Sequence, residues 1–150
     1  VRFRLVCVGH PKAPLAAGID AYERRAARYW PLDVREVKEG RADAADAVRR
    51  LEGGRLLAAA DGARVVACTE DGEALDSRAF AAWCTQLHEG GRDVAFVIGG
   101  AHGLDDAVRA AAERRLRLAP FTMPHDLARL VLVEQLYRAG TLRRGAPYHK

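Results

Sequence analysis

Apolar positions along the chain recur with two different periods, and segments of the two kinds alternate. Arg2–Val8 is a nearly unbroken apolar run closed by Gly9-His10-Pro11, which reads as a buried strand. Ile19, Tyr22, Ala26 and Tyr29 then fall at helical spacing, predicting a helix over Leu15–Ala27 that stops before Pro31. Leu32–Val37 reads as a second strand. An alanine-rich helix over Asp43–Glu52 is expected to break or bend at Gly53-Gly54 before Arg55–Ala60. Arg64–Thr69 reads as a third strand, closed by a turn at Asp71-Gly72. Asp76 or Ser77 is placed to cap a helix whose inner face carries Phe80, Trp83, Cys84 and Leu87. The apolar run Val94–Ile98 predicts a fourth strand buried on both sides. Asp105 and Asp106 suit the start of a further helix, Leu116–Phe121 reads as a fifth strand, and a last helix is expected over Asp126–Ala139.

Strands alternating with helices imply an α/β fold, a largely parallel sheet with helices on its faces. Such sheets bind ligands at the carboxyl ends of their strands, which here means Thr69, Gly99-Gly100 and Phe121–Met123. The last helix adds a second expectation. Leu127, Leu130, Val131, Leu132, Val133, Leu136 and Tyr137 occupy nearly every angle around it, so more than one side must be covered. A homodimer satisfies that need, and a helix wedged deep in one subunit is the alternative.

At 150 residues the chain has the size of one domain with its own core, so residues 1–150 are read as a single unit. No apolar run reaches the length of a membrane span, and VRFRLVCVG lacks the long apolar region of a signal peptide. Cys7, Cys68 and Cys84 are odd in number and widely spaced, which fits free thiols in a reducing cytoplasm better than a disulfide framework. None stands at metal-ligand spacing from a histidine, so no metal site is expected. The net charge of +4 is modest, but Arg138, Arg143, Arg144 and Lys150 have no acidic residue among positions 138–150. Such a cluster suits phosphate neutralisation and RNA; it also suits a plain solvated surface.

Three stretches carry candidate chemistry. Ile98-Gly99-Gly100-Ala101-His102-Gly103 resembles a nucleotide-binding turn, yet Ala101 breaks the dinucleotide fingerprint and no P-loop Lys-Ser/Thr follows. What remains is a turn through which a ligand could approach the backbone, or simply a tight turn. In Thr122-Met123-Pro124-His125-Asp126, Pro124 directs the chain into the helix, Asp126 is a candidate cap, and His125 serves either structure or chemistry. Glu134 and Arg138 lie four apart on the last helix, an ordinary ion pair unless they line a cavity or interface. Tyr148 and His149 close the chain. If the basic tail folds over the strand ends, the ring can stack on a base and the imidazole can exchange a proton.

Taken in order, VAFVIGGAHGL, TMPHDLARLVLVEQLYRA and the terminal PYHK resemble the ribosomal large-subunit RNA methyltransferase H family, in the SPOUT superfamily of trefoil-knotted methyltransferases. VCVG and AYERR near the amino terminus agree with it, and the likeness covers nearly the whole chain. The resemblance implies a cytoplasmic homodimer that uses S-adenosylmethionine to methylate N3 of a pseudouridine in large-subunit (23S) ribosomal RNA, within the assembled ribosome. It implies a parallel sheet whose carboxy-terminal segment is threaded into a knot, which ordinary chain-topology rules disfavour. It places cofactor contacts at Cys68, at Gly99, and at Leu118, Ala119, Pro120, Phe121, Thr122 and Met123. Cys68-Thr69 departs from the family's leucine-aspartate, which keeps an apolar contact but shortens the side chain. His149 or Glu134 is the implied base or proton relay, with Arg138 stabilising charge on the uracil ring and Tyr148 holding the base. Arg143, Arg144 and Lys150 are the candidate RNA contacts. Two other readings stay open: a SPOUT enzyme acting on another RNA base, and a noncatalytic RNA-binding α/β module.

Overall fold

A computed structural model describes residues 1–150. Five parallel strands, β1 (Phe3–Val8), β2 (Leu32–Val37), β3 (Arg64–Ala74), β4 (Val94–Ile98) and β5 (Arg114–Arg117), lie in the order β2-β1-β4-β3-β5. Alternate residues of the central strands face opposite sides, so each side has its own core. Phe3, Leu5, Cys7 and Phe96 pack on one side against α1 (Ala16–Ala26), α3 (Ser77–Glu89) and α5 (His125–Arg144). Val6, Val8, Ala95 and Val97 pack on the other against α2 (Ala45–Ala59) and α4 (Asp106–Ala111). The α/β expectation therefore holds as a three-layer arrangement, with β4 buried throughout.

Four boundaries differ from those expected by more than two residues, each for a local reason. Helix α2 runs straight through Gly53-Gly54, because a bare Gly53 lets α4 approach: a Cβ there would stand 3.0 Å from that of Asp105. Strand β3 does not end at Asp71-Gly72. Cys68 and Glu73 both face Leu116, so Thr69–Gly72 bulges out and pairing then resumes. Gly72 permits this, since an added Cβ would lie 2.6–2.8 Å from the β5 backbone. Strand β5 stops at Arg117 rather than Phe121, two residues before the Ala119-Pro120 step, where proline has no N–H for a ladder. Residues 118–124 are consequently a loop.

Helix α5 continues five residues beyond Ala139. Gly140 is not its stop. That role belongs to Gly145, which takes the left-handed conformation (φ 68°) favoured at a helix carboxyl end. Arg143 and Arg144 are thus helical, lying over the rings of Trp30 and Tyr29 at 5.1 and 5.2 Å, instead of belonging to a loose tail. Asp76 caps α3 by accepting from the Ala79 N–H at 2.8 Å. Asp126 does not cap α5; it sits inside the first turn and accepts from the Lys12 N–H at 3.1 Å.

Gly140 is a contact residue. A Cβ there would lie 2.3 Å from the Tyr29 Cβ and 2.6 Å from its Cγ, with Trp30 Nε1 at 3.2 Å. Alanine in a helix is ordinarily worth about 1 kcal/mol over glycine. Here overpacking reverses the sign, and Gly140→Ala is expected to destabilise the fold by about 2 kcal/mol in urea denaturation.

Candidate active site

The bulge of β3, the carboxyl end of β4 and the loop after β5 converge on a cleft of about 460 Å³. Gly99, Gly100 and Gly103 form one of its walls. Gly99 follows β4, and a Cβ on it would meet the Gly103 carbonyl carbon at 2.7 Å, its oxygen at 2.8 Å and Leu104 N at 3.0 Å. Gly103 has φ +81° and bridges to Gly100, so the turn folds back tightly on itself. Cys68, Gly99, Leu118, Ala119, Phe121 and Met123, all expected cofactor contacts, line this cleft. Pro120 and Thr122 do not. Pro120 is exposed, and the Thr122 hydroxyl donates to Glu70 at 3.2 Å, tying the loop to the β3 bulge. Phe121 remains 80% exposed at the rim.

All three thiols are free. Burial pushes the Cys7 and Cys68 thiols up from 9.0 to about 12. Both hold their protons in the fold between about pH 9 and 12, where the unfolded chain releases them. Stability is therefore expected to fall as pH rises through that interval, with no contribution below it. Iodoacetamide at pH 8 should leave Cys7 unmodified in the native protein and label it in urea; rapid native labelling would contradict its burial.

The four residues expected to carry chemistry assemble elsewhere. Arg138 grips Glu134 Oε1 through Nη2 (2.7 Å) and Nε (3.1 Å), and the Tyr148 hydroxyl donates to the same oxygen at 3.0 Å. Gln135 Nε2 donates to Glu134 Oε2 at 2.8 Å. The tail folds back so that His149 Nδ1 lies 3.0 Å from Arg138 Nη1, and the Tyr148 ring lies under the guanidinium at 4.7 Å. Hydrogen bonding to Glu134 holds the Arg138 pKa above its usual value. Burial, with hydrogen bonds to Tyr22 and Glu134, raises that of Tyr148. The group is a satisfied cation–carboxylate–phenol cluster, and none of its four residues lines the cleft. Ala128 does, and Arg138 lies ten residues further along α5, about 15 Å of helical rise away. Lys150 is exposed at the end of the tail.

Arg129 carried no sequence signal beyond being a cation among leucines and valines. It is 4% exposed and binds Glu23 of α1 (2.9 Å) and Glu36 of β2 (2.7 Å), pinning the start of α5 beside the cleft. Burial raises the Glu23 carboxyl. It acts upward on Glu36 too, but hydrogen bonds from His10 and Arg129 outweigh it and hold that carboxyl low. Two carboxylates around one guanidinium leave no buried charge unpaired.

The relatives of this chain share its whole length. The family model of SPOUT methyltransferases matches residues 1–149. A ribosomal RNA large subunit methyltransferase H from Gemmatimonas aurantiaca is 57% identical, with all of both chains covered. One of the same name from an Anaeromyxobacter species is 48% identical, again over all of both. Among solved structures, a probable methylase family protein from Haemophilus influenzae superposes with TM-score 0.61 at 14% identity, covering 99% of this chain and 70% of that one. A probable methyltransferase from Bordetella pertussis gives TM-score 0.55 at 16% identity, covering 91% and 95%. At such identities these two speak for the fold alone. No helix is long and apolar enough to cross a membrane. With a glycine-walled cleft between the β3 bulge and the end of β4, and full-length likeness to these enzymes, the chain belongs to the SPOUT methyltransferase family, among the ribosomal RNA large subunit methyltransferases H.

Proposed function

We propose that this chain uses S-adenosylmethionine to methylate N3 of a pseudouridine in 23S ribosomal RNA, as a cytoplasmic homodimer acting on the assembled ribosome. Each subunit's tail would complete the cleft of its partner. The observation that carries this reading is the distance, within one subunit, between the cleft and the Glu134–Arg138–Tyr148–His149 cluster. One subunit holds both halves of a site and cannot join them; a symmetric pair can, across the half-buried apolar face of α5. The family likeness supports a threaded, knotted carboxy-terminal segment.

The cleft suits such a cofactor. Backbone around Gly99 and the 118–123 loop can meet the edge of an adenine, and Cys68, Leu118 and Met123 supply apolar contact. When bound, S-adenosylmethionine supplies an electrophilic methyl group. The chain's own residues must orient the base, exclude water and manage the N3 proton. Arginine only donates, so the Arg138–His149 contact requires His149 Nδ1 to accept, and the neutral ring then carries its proton on Nε2. In this tautomer His149 donates toward a uracil oxygen and does not take a proton. Glu134 is equally engaged, both of its oxygens accepting hydrogen bonds. The cluster is thus built to stabilise the anion left when N3 loses its proton, with Arg138 as the fixed positive charge and Tyr148 as a stacking surface. Glu134 positions Arg138. Arg143, Arg144 and Lys150, all exposed, would meet phosphates outside the site.

The reading is tested by methyl transfer from labelled cofactor to ribosomes lacking the modification, followed by mapping of the modified base. Label at N3 of a pseudouridine in 23S RNA is expected. Label on another base, or none, would overturn it.

A further inference from the structure

A second cavity, of about 600 Å³, adjoins the cleft and shares Gly100, Ala101, His102 and His125 with it. Glu52 reaches into it from α2. This side chain is 3% exposed; its Oε2 accepts from the Gly40 N–H at 3.1 Å, while Oε1 has no partner. A carboxylate oxygen left buried and unpaired is costly, so a ligand bringing a donor would be favoured there. Gly100 borders it without a side chain: a Cβ there would lie 2.8 Å from Oε1, 3.1 Å from Oε2 and 3.2 Å from Val8 Cγ1. Glu39 and Asp43 add negative charge to the same cavity, and exposed Arg41 contributes the one guanidinium in its wall. Buried carboxylate and accessible guanidinium together complement an ammonium and a carboxylate on one ligand.

We propose that this cavity receives the α-amino-acid end of S-adenosylmethionine, its ammonium donating to Glu52 Oε1 and its carboxylate pairing with Arg41, while the adenosine occupies the cleft. The proposal rests on the methyltransferase reading and assigns the second half of its cofactor site. Gly100, shared by the two cavities, is the point where the ligand passes from one to the other.

Titration calorimetry of the whole protein separates the possibilities, using S-adenosylmethionine, S-adenosylhomocysteine and 5′-methylthioadenosine, the last of which lacks the amino-acid end. Glu52→Gln should weaken the first two by about tenfold or more and leave the third unchanged, as loss of a charge-assisted hydrogen bond requires. Arg41→Ala, at an exposed position, should give the same selectivity with a smaller loss, and it decides the matter if Glu52→Gln does not fold. Equal weakening of all three ligands would show that Glu52 merely holds the Gly40 and Gly100 turns, and would overturn the proposal. So would unchanged affinities, or a loss confined to S-adenosylmethionine, which would place the contact at the sulfonium. If the unaltered protein bound none of the three, the cofactor reading itself would fall, and the proposal with it.

Discussion

Gly99→Ala is expected to weaken cofactor binding strongly while leaving a folded protein. The added methyl would stand within 3.0 Å of three backbone atoms of Gly103 and Leu104, none of which can rotate aside as a side chain can. Relief must come from moving the turn, at about 1–3 kcal/mol for an overpacked position. That strain falls on residues 99–103, which form one wall of the cleft, so ligand geometry is lost before the sheet is. S-adenosylmethionine should bind about 10- to 100-fold more weakly in calorimetry. Binding at the unaltered affinity would show that the turn does not grip the ligand.

The second large effect belongs to the tail. His149→Ala removes the Nε2–H donor and the partner of Arg138 Nη1 without touching the cleft. Cofactor affinity should stay as it was, while single-turnover methyl transfer falls by about 100-fold, the usual cost of one electrostatic donor to a developing anion. His149→Asn, which retains an N–H donor, should recover part of the rate if donation is the role and none if His149 accepts the proton. Because ionisation of N3 then depends on solvent, the rate of the unaltered enzyme should rise with pH across the neutral range. A profile flattening at a histidine-like pKa would indicate a base instead.

The sheet and both of its faces were legible in the chain because strands β1, β2 and β4 are continuous apolar or alternating runs between strong breakers. Misreadings gathered where tertiary contact overrides local preference. Gly53 and Gly140 look like helix breakers and are in fact points of close approach, to Asp105 and to Tyr29. The β3 bulge and the early end of β5 depend on how those strands meet, which no window along one segment contains. The cleft was readable from strand-end logic, since Cys68, Gly99, Leu118, Ala119, Phe121 and Met123 line it, while Pro120 and Thr122 do not. Arg129 and Glu52 were missed for a common reason: each is defined by partners far away in sequence, Glu23 and Glu36 for one, Gly40 and Gly100 for the other. The Glu134–Arg138 pair was readable from its spacing, but its engagement with Tyr148 and His149 required the tail to fold back.

A site shared between two subunits can be tested by mixing two impaired proteins, at a cofactor concentration that saturates only the unaltered cleft. Gly99→Ala subunits keep an intact tail, and His149→Ala subunits keep an intact cleft. After unfolding and refolding together in equal amounts, about half the dimers should be mixed, and each mixed dimer should hold one complete site. Methyl transfer to unmodified ribosomes should therefore recover to roughly one quarter of the unaltered activity. Recovery of that size would place tail and cleft in trans; a mixture no more active than its two components, with mixed dimers demonstrated by mass, would contradict it.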